Sequence, residues 1–112
     1  MLELGKLYQI KENFWLLFPS KETAAAARSD SARSGVAAAF IDAPFGNADH
    51  WNKKLNCNVT YISPNTIFFP VETDGNYVKV VSGEGVGWIV VRNWAKDYFE
   101  EINIVRKNLL IK

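Results

Sequence analysis

The residues best suited to chemistry in this sequence are its single histidine and its single cysteine, His50 and Cys57. A histidine can act as a general base and a cysteine as a nucleophile if the fold brings them together. The thiol would also need an electropositive setting, which Lys53 and Lys54 could supply. A free cysteine is usually a small buried hydrophobe, and a lone histidine lacks the partner ligands of a metal site. We therefore predict no catalytic residue, no metal and no cofactor, with a small hydrolase built on this pair as the alternative.

A glycine-rich stretch at Gly83–Gly87 has the composition of a phosphate-binding loop. Such loops open a helix whose N-terminus faces the phosphate. Here Trp88 and the residues after it predict a strand, so we interpret the stretch as a hairpin turn. The carboxylates include no pair whose spacing singles out an acid and a base.

Composition limits the possible classes. The 112 residues suit one domain at 1–112, and the 48% apolar content permits a core. The formal net charge of +1 gives no strong field for nucleic acid or acidic membranes. One cysteine allows no internal disulfide and fits a reducing compartment, so we expect a cytoplasmic protein. The apolar runs are far shorter than the roughly 20 residues of a membrane span, and no secretory signal is recognised.

The elements that must position these residues are mainly short strands. Apolar runs predict strands at 5–10, 14–18, 58–62, 67–74, 77–81, 86–91 and 101–105. Ser63–Thr66, which contains a proline, predicts a turn, and Asp74-Gly75 is typical of a hairpin. The sequence thus predicts an all-β domain with an antiparallel meander.

Alternation of side chains predicts which face of the strand at 67–74 is buried. Ile67, Phe69 and Val71 share one face, and we predict that Phe69 lies in the core together with Trp88. Pro70 cannot donate to a ladder, which predicts an edge or a bulge at this point.

The connection at 19–57 is long, and connections of that length are usually functional or disordered. Ser20 can cap a helix, and Ala24–Ala27 has high helix propensity but little apolar surface to bury. This predicts either a short helix or a mobile loop, with 24–35 as the most mobile internal segment. A second short helix is predicted at Ala48–Leu55.

The order of these elements resembles a Src-homology-3-like barrel of the bacterial type. The matching features are Pro64, Asp74-Gly75, Val78–Val81, Gly87-Trp88 and a helical turn at Asn93–Tyr98. The resemblance covers strands at about 5–18 and 58–105 and implies a small barrel with one long inserted loop, at about 19–57, that carries short helices. It does not extend to recognition of proline-rich ligands. Leu7–Ile10 lacks the paired tyrosines and acid of peptide-binding members, and Val90 stands where their groove has proline.

A second resemblance concerns Phe14–Thr23, which is similar to small proteins of marine cyanobacteria and their phages. This resemblance implies no known activity. It leaves open an accessory subunit of a photosynthetic or phage assembly.

Aromatic residues are more numerous than one small barrel must bury, and amphipathic aromatics suit interfaces. We predict a partner-binding surface beside the long loop, formed by Tyr8, Trp15, Trp51, Tyr77 and Trp94. The alternative is that these side chains pack against the loop.

These observations predict a non-catalytic protein-binding or structural module that contacts a protein partner or itself. The alternative is a nucleic-acid-binding barrel, whose binding would depend steeply on salt. That function would require convergence of Arg28, Arg33, Lys53, Lys54 and Arg92. The near-neutral net charge argues against it.

Overall fold

The computed structural model describes residues 2–11, 14–34, 48–91 and 98–102, with the side chains of 30–34 excepted. The strands are β1 (Leu7–Ile10), β2 (Trp15–Leu17), β3 (Thr60–Ile62), β4 (Ile67–Asp74), β5 (Tyr77–Ser82), β6 (Gly85–Val90) and β7 (Phe99–Ile102). The helices are α1 (Lys21–Ser34) and α2 (Ala48–Leu55). The last strand begins at Phe99, two residues earlier than predicted, while its predicted end at 103–105 and most of the predicted helical turn at 93–98 lie outside the described residues.

The strands form two antiparallel sheets. One sheet has five strands in the order β6-β5-β4-β1-β7, and the other pairs β2 with β3. A single bridge between Phe18 and Trp88 joins the end of β2 to the outer edge of β6. The antiparallel meander predicted from the sequence is present. Most of the described elements are strands and two are helices, which is compatible with the predicted all-β class, but the described strands do not close into a barrel.

The predicted turns are confirmed. In the turn between β3 and β4, the Thr66 amide donates to the Ser63 carbonyl oxygen over 3.2 Å, and Asn65 has a φ of 69°. Asp74 pairs directly with Tyr77, which leaves a two-residue hairpin loop whose first residue, Gly75, has a φ of 62°. Positive φ is the conformation for which asparagine and glycine are best suited.

The predicted bulge at Pro70 is also found, but the buried face of β4 is the opposite of the predicted one. The register with β5 shifts between Pro70 and Glu72. Phe68 is fully buried, whereas Phe69 is half-buried on the other face and Ile67 is exposed. Pairing of Tyr8 with Phe68 turns Phe68 inward. The prediction that Phe69 is a core residue is therefore wrong, because a strand with apolar residues on both faces has no unique inward face.

Two hydrophobic clusters lie on either side of β2 and β6. The first core fills the inner face of the sheets and consists of Leu2, Tyr8, Ile10, Trp15, Leu17, Ile62, Phe68, Val78, Val80, Ile89, Val91 and Phe99. The second core lies beneath the helices and consists of Leu16, Phe18, Ala24, Ala27, Ala48, Trp51, Val59, Trp88 and Val90. Because alternate residues of β2 and of the later part of β6 enter different cores, β2 and residues 87–90 of β6 are buried on both faces. Trp88 is buried, as predicted.

The inserted segment contributes to the interior through its helices. Ser20 caps α1: its hydroxyl accepts from the Thr23 amide over 3.1 Å, and the Thr23 hydroxyl oxygen lies 3.2 Å from the Ser20 amide. This reciprocal pair resembles a capping box. Ala24 and Ala27 are fully buried. Of the two predicted alternatives, the helix is therefore the one found.

The second predicted helix is confirmed with the predicted bounds. The Ala48 amide at its start donates to the Tyr61 hydroxyl over 3.0 Å, and the Asn52 side-chain oxygen accepts from the Val59 amide. Both contacts fasten α2 to β3 and the residues that precede it. Among the described residues, neither helix has the length and hydrophobicity that crossing a membrane requires.

Candidate binding face

Two of the five predicted surface residues lie inside the first core. Tyr8 is 7% exposed, and its hydroxyl oxygen accepts from the Glu3 amide over 2.9 Å. Trp15 is fully buried, and its indole Nε1 donates to the Val90 carbonyl oxygen over 3.1 Å. Both polar atoms therefore have internal partners, and neither side chain presents a surface.

The other predicted surface residues belong to the helical side of the molecule. Trp51 is fully buried in the second core, where its indole nitrogen has no hydrogen-bond acceptor among the described residues. Tyr77 is half-buried against the same core, with the Arg28 guanidinium 5.8 Å from its ring centre. Trp94 lies outside the described residues. For Trp51 and Tyr77 the structure corresponds to packing against the inserted segment, and the five residues do not form one exposed surface.

The pair considered for catalysis lies on and just after α2. His50 is exposed, with its ring edge-on to Trp51 at 4.6 Å. Cys57 is half-buried, and burial raises the pKa of its thiol. A raised pKa disfavours the thiolate, which is the reactive form. Burial at Cys57 therefore works against a reactive thiolate. The described residues contain no group of three metal-ligating side chains.

The glycine-rich stretch forms a hairpin turn, as the sequence predicts, and enters β6 at Gly85. Ser82 pairs with Gly85 across the turn, and the Ser82 hydroxyl accepts from the Glu84 amide over 3.1 Å. The Glu84 carboxylate accepts from the Thr66 hydroxyl over 2.8 Å and from the Ser63 amide over 3.2 Å. Partial burial raises the pKa of Glu84, but these hydrogen bonds outweigh it and hold that pKa below its usual value. Glu84 thereby fastens the turn between β5 and β6 to the turn between β3 and β4.

A row of apolar side chains crosses the outer face of the five-stranded sheet. Ile102 pairs with Leu7 across β7 and β1. The register of Tyr8 with Phe68 continues to place Leu7 beside Phe69. Phe69 pairs with Val81, and Val81 in turn pairs with Val86. Together with the neighbouring Ile67, these residues form what we call the apolar stripe: Leu7, Ile67, Phe69, Val81, Val86 and Ile102.

The apolar stripe is open to solvent along part of its length. Val86 is 57% exposed and Ile67 39%, and the other members are half-buried. The adjoining part of the same face, which includes Trp88 and Val90, lies in the second core with alanines from both helices. The helices therefore cover one part of the outer face and leave the stripe uncovered.

An open depression of about 210 Å³ lies at the Val86 end of the stripe. Pro19 and Val86 provide its exposed apolar surface beside the buried Leu17 and Phe18. Asn58, Thr60 and Glu84 are the polar residues that line it. Known small-molecule sites are usually larger, at about 300–1,000 Å³. The size suits one inserted side chain better than a cofactor.

The apolar stripe does not coincide with the surface predicted from the sequence. The alternation of Ile67 with Phe69 marks one apolar face, which the sequence predicts to be buried. Val81 and Val86 flank the second hairpin turn at positions that must pair, a signal that was available. Comparisons with models of known protein families, with curated proteins and with solved structures returned no match to this chain.

Proposed function

We propose that this chain is a non-catalytic protein-binding module, and that its contact face is the apolar stripe. The observation that carries the proposal is the exposure of Ile67 and Val86 at 39% and 57% on a continuous apolar row. Apolar side chains scattered singly over a surface are ordinary, but a contiguous apolar row that is partly exposed is typical of an interaction surface.

The borders of the stripe support this proposal. Gln9 and Glu100 pair beside Ile67 on one side, and their side chains lie 3.5 Å apart. On the other side, Lys79 pairs with Glu72 across β4 and β5. An apolar centre between polar borders is the usual anatomy of a protein interface.

We also propose that the architecture is Src-homology-3-like. The meander of β4, β5 and β6, with β1 and β7 paired beside it, agrees with the strand order on which the resemblance rests. The bulge in β4 bends the strand that both halves of the sheet share, which favours curvature. We include in this proposal a cytoplasmic location, which is expected from the cysteine content, and a role as an accessory subunit of a larger assembly.

A capture experiment tests the contact face. The immobilised chain, an Ile67→Lys variant and a Leu4→Lys control are compared for proteins retained from a lysate of the encoding organism. Leu4 is a suitable control because it is also an exposed apolar residue, at 56%, but lies outside the stripe. We expect a partner to be retained by the wild type and the control and to be lost from the stripe variant. Retention by all three chains would overturn the assignment of the face.

The same experiment addresses the other hypotheses. Capture that disappears after nuclease treatment would indicate nucleic-acid binding instead. Sedimentation velocity of the three chains tests self-association, in which the stripe variant alone would be shifted towards the monomer. Of the cations considered for nucleic-acid binding, Arg28 belongs to α1 and lies over the Tyr77 ring. Lys53 and Lys54 belong to α2.

A further inference from the structure

The β6 edge offers unpaired backbone groups next to the depression. Trp88 exchanges both of its backbone hydrogen bonds with Phe18, each at 2.8 Å, so its N–H and C=O point away from β5. In an antiparallel strand the direction of these groups alternates from residue to residue. Val86, two residues before Trp88, therefore also directs its N–H and C=O away from β5.

Two other contacts agree with this alternation. The Val90 carbonyl, two residues after Trp88, also points away from β5 and accepts a hydrogen bond from the Trp15 indole. The Val91 amide points the other way and donates to Asn76 over 2.7 Å. Among the described residues, the backbone of Trp88 and the carbonyl of Val90 thus have partners on the side away from β5. The contact between β2 and β6 ends at Phe18 and does not reach Val86.

We propose that the depression and the Val86 edge form a site at which an extended peptide of a partner protein adds a short strand to β6. This inference rests on the proposed protein-binding function. Strand addition supplies backbone hydrogen bonds, and a pocket that receives alternate side chains supplies selectivity. Here the edge of Val86 provides the donor and the acceptor, and the exposed apolar surface of Pro19 and Val86 receives one apolar side chain of the peptide.

Charge defines the chemistry of the peptide further. Among the described residues that line the depression, Glu84 is the only charged one. Its Oε1 accepts hydrogen bonds from Ser63 and Thr66. No described residue donates a hydrogen bond to its Oε2. A peptide that carries lysine or arginine beside its apolar residue would complement this carboxylate. The partner is therefore a protein with an extended segment in which a basic residue lies within two positions of an apolar one.

The test uses a phage-displayed library of random heptapeptides selected on the full chain. Peptides that are enriched are synthesised, and their dissociation constants are measured for the wild type, Val86→Pro and Val86→Thr. The Val86 N–H points away from β5, so proline removes the outward donor without removing a bond of the β5–β6 ladder. Threonine retains the donor and nearly the same shape, and serves as the matched control.

We expect enriched peptides to combine an apolar and a basic residue, with affinity reduced at least tenfold by Val86→Pro and less than threefold by Val86→Thr. In the wild type, amide exchange at Val86 should slow at least tenfold when peptide is bound. This second measurement decides the question if the proline variant does not fold. Equal affinity of all three chains with unchanged Val86 exchange would overturn the strand-addition site, and so would the absence of any enriched peptide. Neither result would contradict the proposed function, which the Ile67→Lys comparison tests separately.

Discussion

Phe18 and Trp88 exchange two backbone hydrogen bonds of 2.8 Å, and this bridge is where β2 meets the five-stranded sheet. The contact joins β2, which precedes the inserted segment, to β6, the last strand of the meander. It also places Leu16 and Phe18 next to Trp88 and Val90, on which α1 and α2 pack. The inserted segment thus covers a seam between the two sheets.

The bridge makes Gly87 a position at which a side chain is excluded. A Cβ at this residue would lie 2.6 Å from the Phe18 carbonyl oxygen and 2.8 Å from the Leu17 side chain. We expect Gly87→Ala to lower the free energy of unfolding by about 1–3 kcal/mol, because the backbone of β2 must move. Urea denaturation measures the loss. Gly83→Ala is the control, since a Cβ there meets nothing within 4 Å, and it should change stability by less than about 0.5 kcal/mol.

Phe68 and Phe69 provide a direct test of the register of β4. Phe68 is fully buried, with ring centres of Tyr8 and Phe99 at 6.1 and 5.8 Å. We expect Phe68→Ala to cost about 3–5 kcal/mol of stability. Phe69→Ala should cost clearly less, because Phe69 is half-buried on the outer face. Chemical denaturation of both variants measures these losses. A larger loss for Phe69→Ala than for Phe68→Ala would contradict the register.

Glu84 should contribute a pH-dependent part of the stability. Its folded-state pKa lies below the usual 4.5, because hydrogen bonds from Thr66 and Ser63 outweigh the opposing effect of burial. A lowered folded-state pKa stabilises the protein above the unfolded-state value, and this contribution is lost as the pH falls through the folded-state pKa. We expect the wild type to be more stable than Glu84→Gln at pH 7, with the two curves converging below pH 4.5. Urea midpoints across this range measure the effect.

A matched variant isolates the role of these hydrogen bonds. Glu72→Gln removes another exposed carboxylate, one on β4 that makes no contact with the Ser63–Thr66 turn among the contacts described. Urea midpoints of this variant over the same pH range separate the effect of the Glu84 contacts from that of removing a surface carboxylate. Parallel curves for the wild type and Glu84→Gln would show that the Glu84 contacts do not favour the ionised form.

The Ser20 cap should determine much of the stability of α1. Ser20→Ala removes the acceptor of the Thr23 amide, and we expect a loss of about 1 kcal/mol. Ser29→Ala is the control within the same helix. Ser29 is exposed, and alanine has the higher helix propensity, so no loss is expected there. Circular dichroism during thermal unfolding compares the two variants, and equal melting temperatures would argue against the cap.

Local residue chemistry determined several elements of this protein. Proline before Asn65, the Asp74-Gly75 pair and the glycines of the second hairpin have conformational preferences that hold in any context, so the turns were predictable. Ser20 and the alanine run likewise allowed α1, and the spacing of Trp51 and Leu55 predicted α2. Pro70 marked a bulge because proline cannot donate a ladder hydrogen bond.

Only the tertiary structure decided which side chains are buried and which remain at the surface. Both faces of β4 are apolar, and pairing with Tyr8 turned Phe68 inward and left Ile67 outside. The aromatics at 8, 15 and 51 were equally suited to a surface or a core, and packing of the strands and helices buried them. Burial depends on contacts between residues distant in sequence, and alternation along one strand carries no information about which of its faces another element will cover.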